Sequence, residues 1–90
     1  MKLIYNELRG DNQTFGKRLN GAPIKQGDPV YLGDNVFTFR GEPAVVNHFA
    51  LPHKSSSEGE ISVQVDGEKY SSEFYVSVIG AQWIDREDRN

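Results

Sequence analysis

Apolar and polar residues alternate along this chain in short runs, and that alternation predicts a mostly β protein. The clearest run is 60–65, where Ile61, Val63 and Val65 alternate with polar residues, as in a strand with one buried face. Gly, Pro, Asn and Asp separate the other predicted strands. These are 2–7, 29–32 (resuming at 36–40 after a turn), 44–51, 68–71 and 81–84. No long window carries the i, i+3, i+4 apolar spacing of a helix.

Three connecting segments shape the predicted topology. Residues 11–21 are polar and bounded by Gly, so we expect a long early loop anchored by Phe15 and Leu19. The pair Asp66-Gly67 is typical of a type I′ hairpin turn. Residues 74–80 are too densely apolar for an alternating strand, which predicts one turn of 3₁₀ helix before the last strand.

Together these elements predict a small, partly open β-barrel of five to six short strands, of the SH3-like kind. An OB-fold has a similar outline, but it usually carries a helix between its third and fourth strands, and 52–59 offers none. The length of 90 residues fits one domain. We place that domain at 1–84 and interpret 85–90 as a charged tail.

Composition removes several classes of protein. The chain has no cysteine, so neither disulfides nor a thiolate zinc site can stabilise it. The N-terminus lacks the apolar core of a signal peptide, and no stretch approaches the ~18 apolar residues of a membrane span. We therefore expect a soluble, cytoplasmic protein that has no membrane association.

The net charge of −3 argues against a general nucleic-acid binder, but the charge is unevenly distributed. Residues 1–54 hold seven Lys/Arg and five Asp/Glu, a balance of +2. Residues 55–90 hold three and eight, a balance of −5. Such asymmetry can steer partners, although solvation of a small surface explains it equally well.

Two basic features are candidate binding sites. Lys17 and Arg18 follow Phe15 in the long loop, and cations beside an aromatic ring suit single-stranded nucleic acid. Alternatively, Phe15 only anchors the loop to the core. His53 and Lys54 precede a run of serines in 52–59, which can supply hydrogen-bond donors to an anion, or can form a simple connector.

Three further residues have a binding and a structural interpretation. Arg40 lies in a tight turn, where it can reach a carboxylate or phosphate or instead pair with Glu42. Trp83 is expected to be half-buried. Together with Tyr31, Tyr70 and Tyr75, it either forms an exposed aromatic groove for an extended peptide or is structural. His48 is expected to be a partly buried core imidazole, because no ligand set accompanies the two histidines. No catalytic or metal-binding motif is present, so we predict no enzyme activity, no metal and no cofactor.

Three segments carry a resemblance to a known group. These are FRGE at 39–42, PHKSS at 52–56 and VIGxxW at 78–83. The pattern resembles a family of small uncharacterised proteins of tailed bacteriophages, and it covers roughly 27–84. The resemblance implies a viral origin, the host cytoplasm and a small β fold, without a mechanism. Residues 1–26 match nothing in that family.

The leading hypothesis is a protein-binding module that docks on a host or viral protein. The alternative is nucleic-acid binding through a basic surface of the N-terminal half, formed by Lys17, Arg18, Lys25, Arg40, His53 and Lys54. A further alternative is a structural or self-assembling virion-associated protein, since the exposed edge strands of an open barrel can pair between subunits.

Overall fold

The protein is mainly β, as the alternation predicts. The computed structural model describes residues 2–8, 13–50 and 59–84. Within them lie two antiparallel sheets, one pairing β1 with β6 and one with the order β2-β3-β4-β5. The elements are β1 (Lys2–Tyr5), β2 (Asn35–Phe37), β3 (Pro43–Ala50), β4 (Glu60–Val65), β5 (Ser72–Tyr75), the 3₁₀ turn η1 (Val76–Ile79) and β6 (Ala81–Ile84).

The core lies between the two sheets and is built by strict alternation. Leu3 and Tyr5 of β1 are buried, and so are Ile61, Val63 and Val65 of β4, while their neighbours are less buried. Burial of one such aliphatic side chain contributes roughly 1.5–3 kcal/mol. A few fully buried side chains therefore account for much of the stability of a domain of this size.

The segment predicted as a strand at 29–32 is only a bridge to β1. Ile4 and Pro29 form an isolated antiparallel bridge. On either side of it, the Tyr5 amide donates to the Asp28 carbonyl and the Val30 amide donates to the Leu3 carbonyl, both at 2.9 Å. This contact attaches the segment 28–30, which precedes β2, to the two-stranded sheet.

The other strand predictions are close to the observed bounds, except for a second wrong one. The strands at 60–65 and 81–84 are confirmed at both ends. The predicted return strand at 68–71 is instead a connection, and β5 begins at Ser72. The hairpin turn is not type I′, because Gly67 has φ +87° whereas Asp66 has a negative φ. With Glu68 N donating to Val65 O at 3.0 Å, it has the pattern of a type II turn.

The 3₁₀ turn before the last strand is confirmed at 76–79. Val76, Val78 and Ile79 are buried against the core, whereas Tyr75, just before the turn, is exposed. The turn ends at Gly80, which has φ +76°. A Cβ there would overlap the Glu7 carbonyl oxygen, so glycine is required both by conformation and by space.

The long loop is anchored differently from the prediction. Phe15 is confirmed as an anchor, since it is buried with its ring centroid 5.4 Å from that of Tyr5. Leu19 is wrong as an anchor, because 79% of it is exposed. In the described parts of the chain, no helix is long and apolar enough to cross a membrane.

Candidate binding groove

A groove of about 650 Å³ lies on the outer face of the four-stranded sheet. Its floor follows a row of directly paired residues that crosses from the long loop to β4. The pairs are Pro23 with Lys17, Lys17 with Asn35, Asn35 with Val45 and Val45 with Gln64. Since directly paired residues point to the same face of a sheet, these side chains share the solvent side.

The floor of the groove is apolar at its centre. Val45 and Phe37 are partly buried on this face. Their sequence neighbours Val46 and Val36 are fully buried and point to the opposite face, into the core. Phe37 pairs with Pro43 in the next row. Phe37 therefore lies on the outer side of β2, which directs Val36 inward.

Charged residues of opposite sign line the two rims. At one rim, Lys17 lies beside β2. At the other rim, the turn at 66–68 follows the end of β4, and the Gln64 side chain donates a hydrogen bond to the Glu68 carbonyl. Three strand spacings of about 4.8 Å separate the Lys17 segment from β4, which makes the groove roughly 14 Å wide. Among the described residues, Lys17, Asp66 and Glu68 have no ion-pair partner.

The groove thus brings together the two halves of the chain that differ in charge. Lys17 comes from the basic half, whereas Asp66 and Glu68 come from the acidic half. Arg18 also lines the groove, but Asp34 compensates its charge at 2.7 Å. The available charge at the rims is therefore one cation and two carboxylates.

A buried polar cluster holds the loop side of the groove in place. Asp34 is 1% exposed, and its Oδ2 accepts hydrogen bonds from the Tyr5 hydroxyl at 2.6 Å, from Arg18 Nη1 at 2.7 Å and from the Tyr31 amide at 3.0 Å. Arg18 Nη1 also donates to the Pro29 carbonyl at 2.6 Å. A buried carboxylate is tolerated when it is paired and hydrogen-bonded in this way.

The cluster also fixes the protonation state of Tyr5. Burial of the phenol, and then its hydrogen bond to Asp34, raise the pKa of Tyr5 well above its usual value of 10.0. Tyr5 thus keeps its proton and donates it to Asp34 at neutral pH.

A second hollow of about 510 Å³ adjoins the groove and shares Arg18 and Leu19 with it. Its other surface residues include Tyr31 and Leu32, which are 57% and 58% exposed. The Arg18 guanidinium carbon lies 4.6 Å from the centroid of the Tyr31 ring. Leu19, Tyr31 and Leu32 form one apolar patch beside the groove, which we call the loop patch.

The other residues predicted for binding lie elsewhere or outside the described part. Arg40 is exposed, with its guanidinium carbon 5.4 Å from the Phe39 ring centroid, and it does not line the groove. His53 and Lys54 are outside the described residues. His48, expected to be partly buried, is exposed beside an irregularity in the register of β3 with β4.

Trp83 is partly buried, as expected, and packs against the core. Its ring packs edge-on against Phe49 with centroids 6.0 Å apart. Its Nε1 is buried and has no hydrogen-bond partner in the described structure. A Cβ on Gly59 would overlap that nitrogen, so the close approach of the Gly59 backbone to the Trp83 ring depends on glycine.

Of the residues predicted for binding, Lys17 and Arg18 line the groove. Phe37, Val45, Asp66 and Glu68 were absent from the candidate residues. The signal for Phe37 was the alternation in 36–38, which identifies the outer face only once Val36 is known to point inward. Asp66 was interpreted only as a turn-forming residue, although its exposed carboxylate is also available to a ligand.

Comparison with family models, with curated proteins and with solved structures finds no significant match for this chain. The groove and its geometry are therefore the basis for the functional argument.

Proposed function

We propose that this protein is a protein-binding module whose outer groove takes an extended segment of a partner protein. One observation carries the proposal: an apolar floor, with free charges on both rims, continues into the exposed loop patch of Leu19, Tyr31 and Leu32. Exposed apolar surface next to a groove is typical of protein interaction sites.

The groove also has dimensions that suit a chain in extended conformation. A width of roughly 14 Å accommodates one strand together with its side chains, since strands lie about 4.8 Å apart and packed faces about 10 Å apart. The walls are held by backbone hydrogen bonds on the loop side, where Lys17 and Asn35 exchange two bonds of 2.8 Å. A preformed site of this kind limits the entropic cost of binding.

Two wider proposals accompany this one. We propose an SH3-like barrel, supported by the meander of four strands, the 3₁₀ turn at 76–79 and the pairing of the last strand with the first. We also propose membership of the bacteriophage family carried by the FRGE, PHKSS and VIGxxW segments. The partner would then be a protein of the bacterial host or of the virus.

Affinity capture from a lysate of the bacterial host, with and without nuclease, tests the function. The bait proteins are the natural chain, Val45→Gln, which makes the groove floor polar, and His48→Gln as a matched surface control on the same strand. We expect a specific protein that survives nuclease, is lost with Val45→Gln and is kept with His48→Gln. Capture that is unchanged by Val45→Gln would contradict the role of the groove.

Nucleic-acid binding is the alternative outcome of the same experiment. It predicts that all enrichment disappears with nuclease and that binding weakens steeply with salt. The groove does not favour this outcome, because Asp66 and Glu68 place two carboxylates opposite Lys17. Arg18 adds little, since Asp34 already accepts its hydrogen bond.

A further inference from the structure

The charge pattern of the outer groove specifies the chemistry of its occupant. Asp66 and Glu68 are exposed and flank Gly67 at one rim, with no ion-pair partner in the described residues. At the other rim, Lys17 is the one described cation without an ion-pair partner. An occupant that lies between these rims meets a net negative site, in which a basic side chain near the 66–68 turn is favoured.

The backbone of the turn keeps this acidic rim in one place. The Asp66 amide donates to the Pro43 carbonyl at 2.8 Å, and the Glu68 amide donates to the Val65 carbonyl at 3.0 Å. Gln64 holds the Glu68 carbonyl from the floor and accepts from Ser71. The two carboxylates therefore project from a fixed turn, which lowers the cost of orienting them towards a cation.

The floor adds a requirement for apolar contact. Val45 and Phe37 are partly buried and lie between the rims. In an extended segment, successive side chains point to opposite faces and alternate residues line one face. A segment that lays one apolar side chain on Val45 can direct a neighbouring long side chain sideways to the 66–68 turn.

We infer that the groove recognises an extended peptide segment with an apolar residue for Phe37 and Val45 and a lysine or arginine for Asp66 and Glu68. This inference rests on the proposed protein-binding function and adds the class of partner sequence. Arginine suits the site especially well, since its planar fork can bond two carboxylate oxygens at once.

Selection from a ribosome-displayed library of random dodecapeptides against the full chain tests the inference. We expect enriched sequences that combine Lys or Arg with an apolar residue one or two positions away. Fluorescence anisotropy of a labelled selected peptide should show about 10-fold weaker binding to the double variant Asp66→Asn/Glu68→Gln. Glu73→Gln, which removes an exposed acid from β5 away from the groove, should bind normally.

The outcomes separate this inference from the proposed function. Peptides that lose binding with Val45→Gln, yet lack basic residues and are unaffected by Asp66→Asn/Glu68→Gln, would overturn the inference and keep the groove as a protein site. A selection in which no peptide depends on Val45 would overturn both. Circular dichroism of each variant confirms that it is folded.

Two further measurements identify other occupants. Binding of a labelled dT12 oligonucleotide that Val45→Gln abolishes would overturn the inference in favour of a nucleic acid. Sedimentation velocity over a range of concentrations tests a second copy of this chain. Self-association that Val45→Gln removes would make that copy the occupant, and this result too would overturn the inference.

Discussion

The two sides of the groove are stabilised in opposite ways. On the loop side, a buried ion pair between Arg18 and Asp34 holds the chain, together with the Tyr5 hydroxyl. On the side of the 66–68 turn, alternating apolar residues hold β3 and β4 together, and the carboxylates of Asp66 and Glu68 have no ion-pair partner among the described residues. A charged residue in the sequence thus has two possible roles, and only its partners in the fold decide between structure and binding.

This contrast predicts that the largest loss of stability follows a substitution in β4. Ile61 is 1% exposed and contributes its whole side chain to the core. Truncation of a buried Ile or Leu to Ala costs about 2–5 kcal/mol because it loses transfer free energy and leaves a cavity. We expect Ile61→Ala to lower the free energy of unfolding by about 3–4 kcal/mol in urea denaturation. Ile61→Val, as the matched control, should cost about 1 kcal/mol.

The loop side should respond next. Asp34→Asn removes the closer of the two carboxylates that pair with Arg18 and leaves Asp28 Oδ2 at 3.7 Å from Arg18 Nη2. Breaking a buried pair costs about 3–5 kcal/mol when both groups are fully buried. The Arg18 side chain is 15% exposed, so we expect a loss of about 2–3 kcal/mol. Thermal and urea unfolding measure it.

The same variant tests whether Asp34 and Arg18 stabilise the fold as a coupled pair. A double-mutant cycle with Arg18→Met should give a coupling free energy of more than about 1 kcal/mol, as expected for groups in contact. Additive effects of the two substitutions would show that the pair does not act as a unit.

A smaller effect is expected at Tyr5, and it depends on pH. Tyr5→Phe removes one hydrogen bond to Asp34, which costs about 1–2 kcal/mol near neutral pH. The folded pKa of Tyr5 is raised above the unfolded value of 10.0, so the folded state binds the proton more tightly. The contribution is therefore complete below pH 10 and is lost as the pH rises towards the folded pKa.

The difference in unfolding free energy between the natural chain and Tyr5→Phe isolates this titration from the other tyrosines. We expect the difference to be constant from pH 6 to pH 9 and to shrink above about pH 10. A difference that grows with pH would contradict the assignment of Tyr5 as a donor to Asp34.

The smallest effect on stability is expected at the free rim. Asp66→Asn/Glu68→Gln removes charges that have no partner in the described residues. Surface substitutions of this kind usually change stability by less than about 0.5 kcal/mol each. We expect an unchanged urea midpoint, so that any loss of peptide binding reports on the groove and not on folding.

Alternation predicted the sheet well where one face is buried. The strands at 60–65 and 81–84 were predicted at both ends because core packing fixes them. Residues 68–71 were misassigned since the Asp66-Gly67 pair suggested an immediate return strand. The chain instead makes a type II-like turn and continues to Ser72 before pairing resumes.

The polar part of the architecture was less accessible from sequence. Nothing in the spacing of Tyr5, Arg18 and Asp34 indicates that they meet, since 16 positions separate Arg18 from Asp34 and 29 separate Tyr5 from Asp34. The groove was missed for the same reason. Its rims come from distant segments, and only the pairing of Lys17 with Asn35 brings the loop to the edge of β2.

The contact of Trp83 with Phe49 gives the molecule a built-in optical reporter. Trp83 is the sole tryptophan, and it belongs to the two-stranded sheet, whereas Phe49 belongs to the four-stranded sheet. Its ultraviolet emission therefore follows the packing of one sheet on the other. It is also absent from the residues that line the groove. A shift in that emission during titration with a ligand would thus report a change transmitted between the sheets, and not direct contact with the ligand.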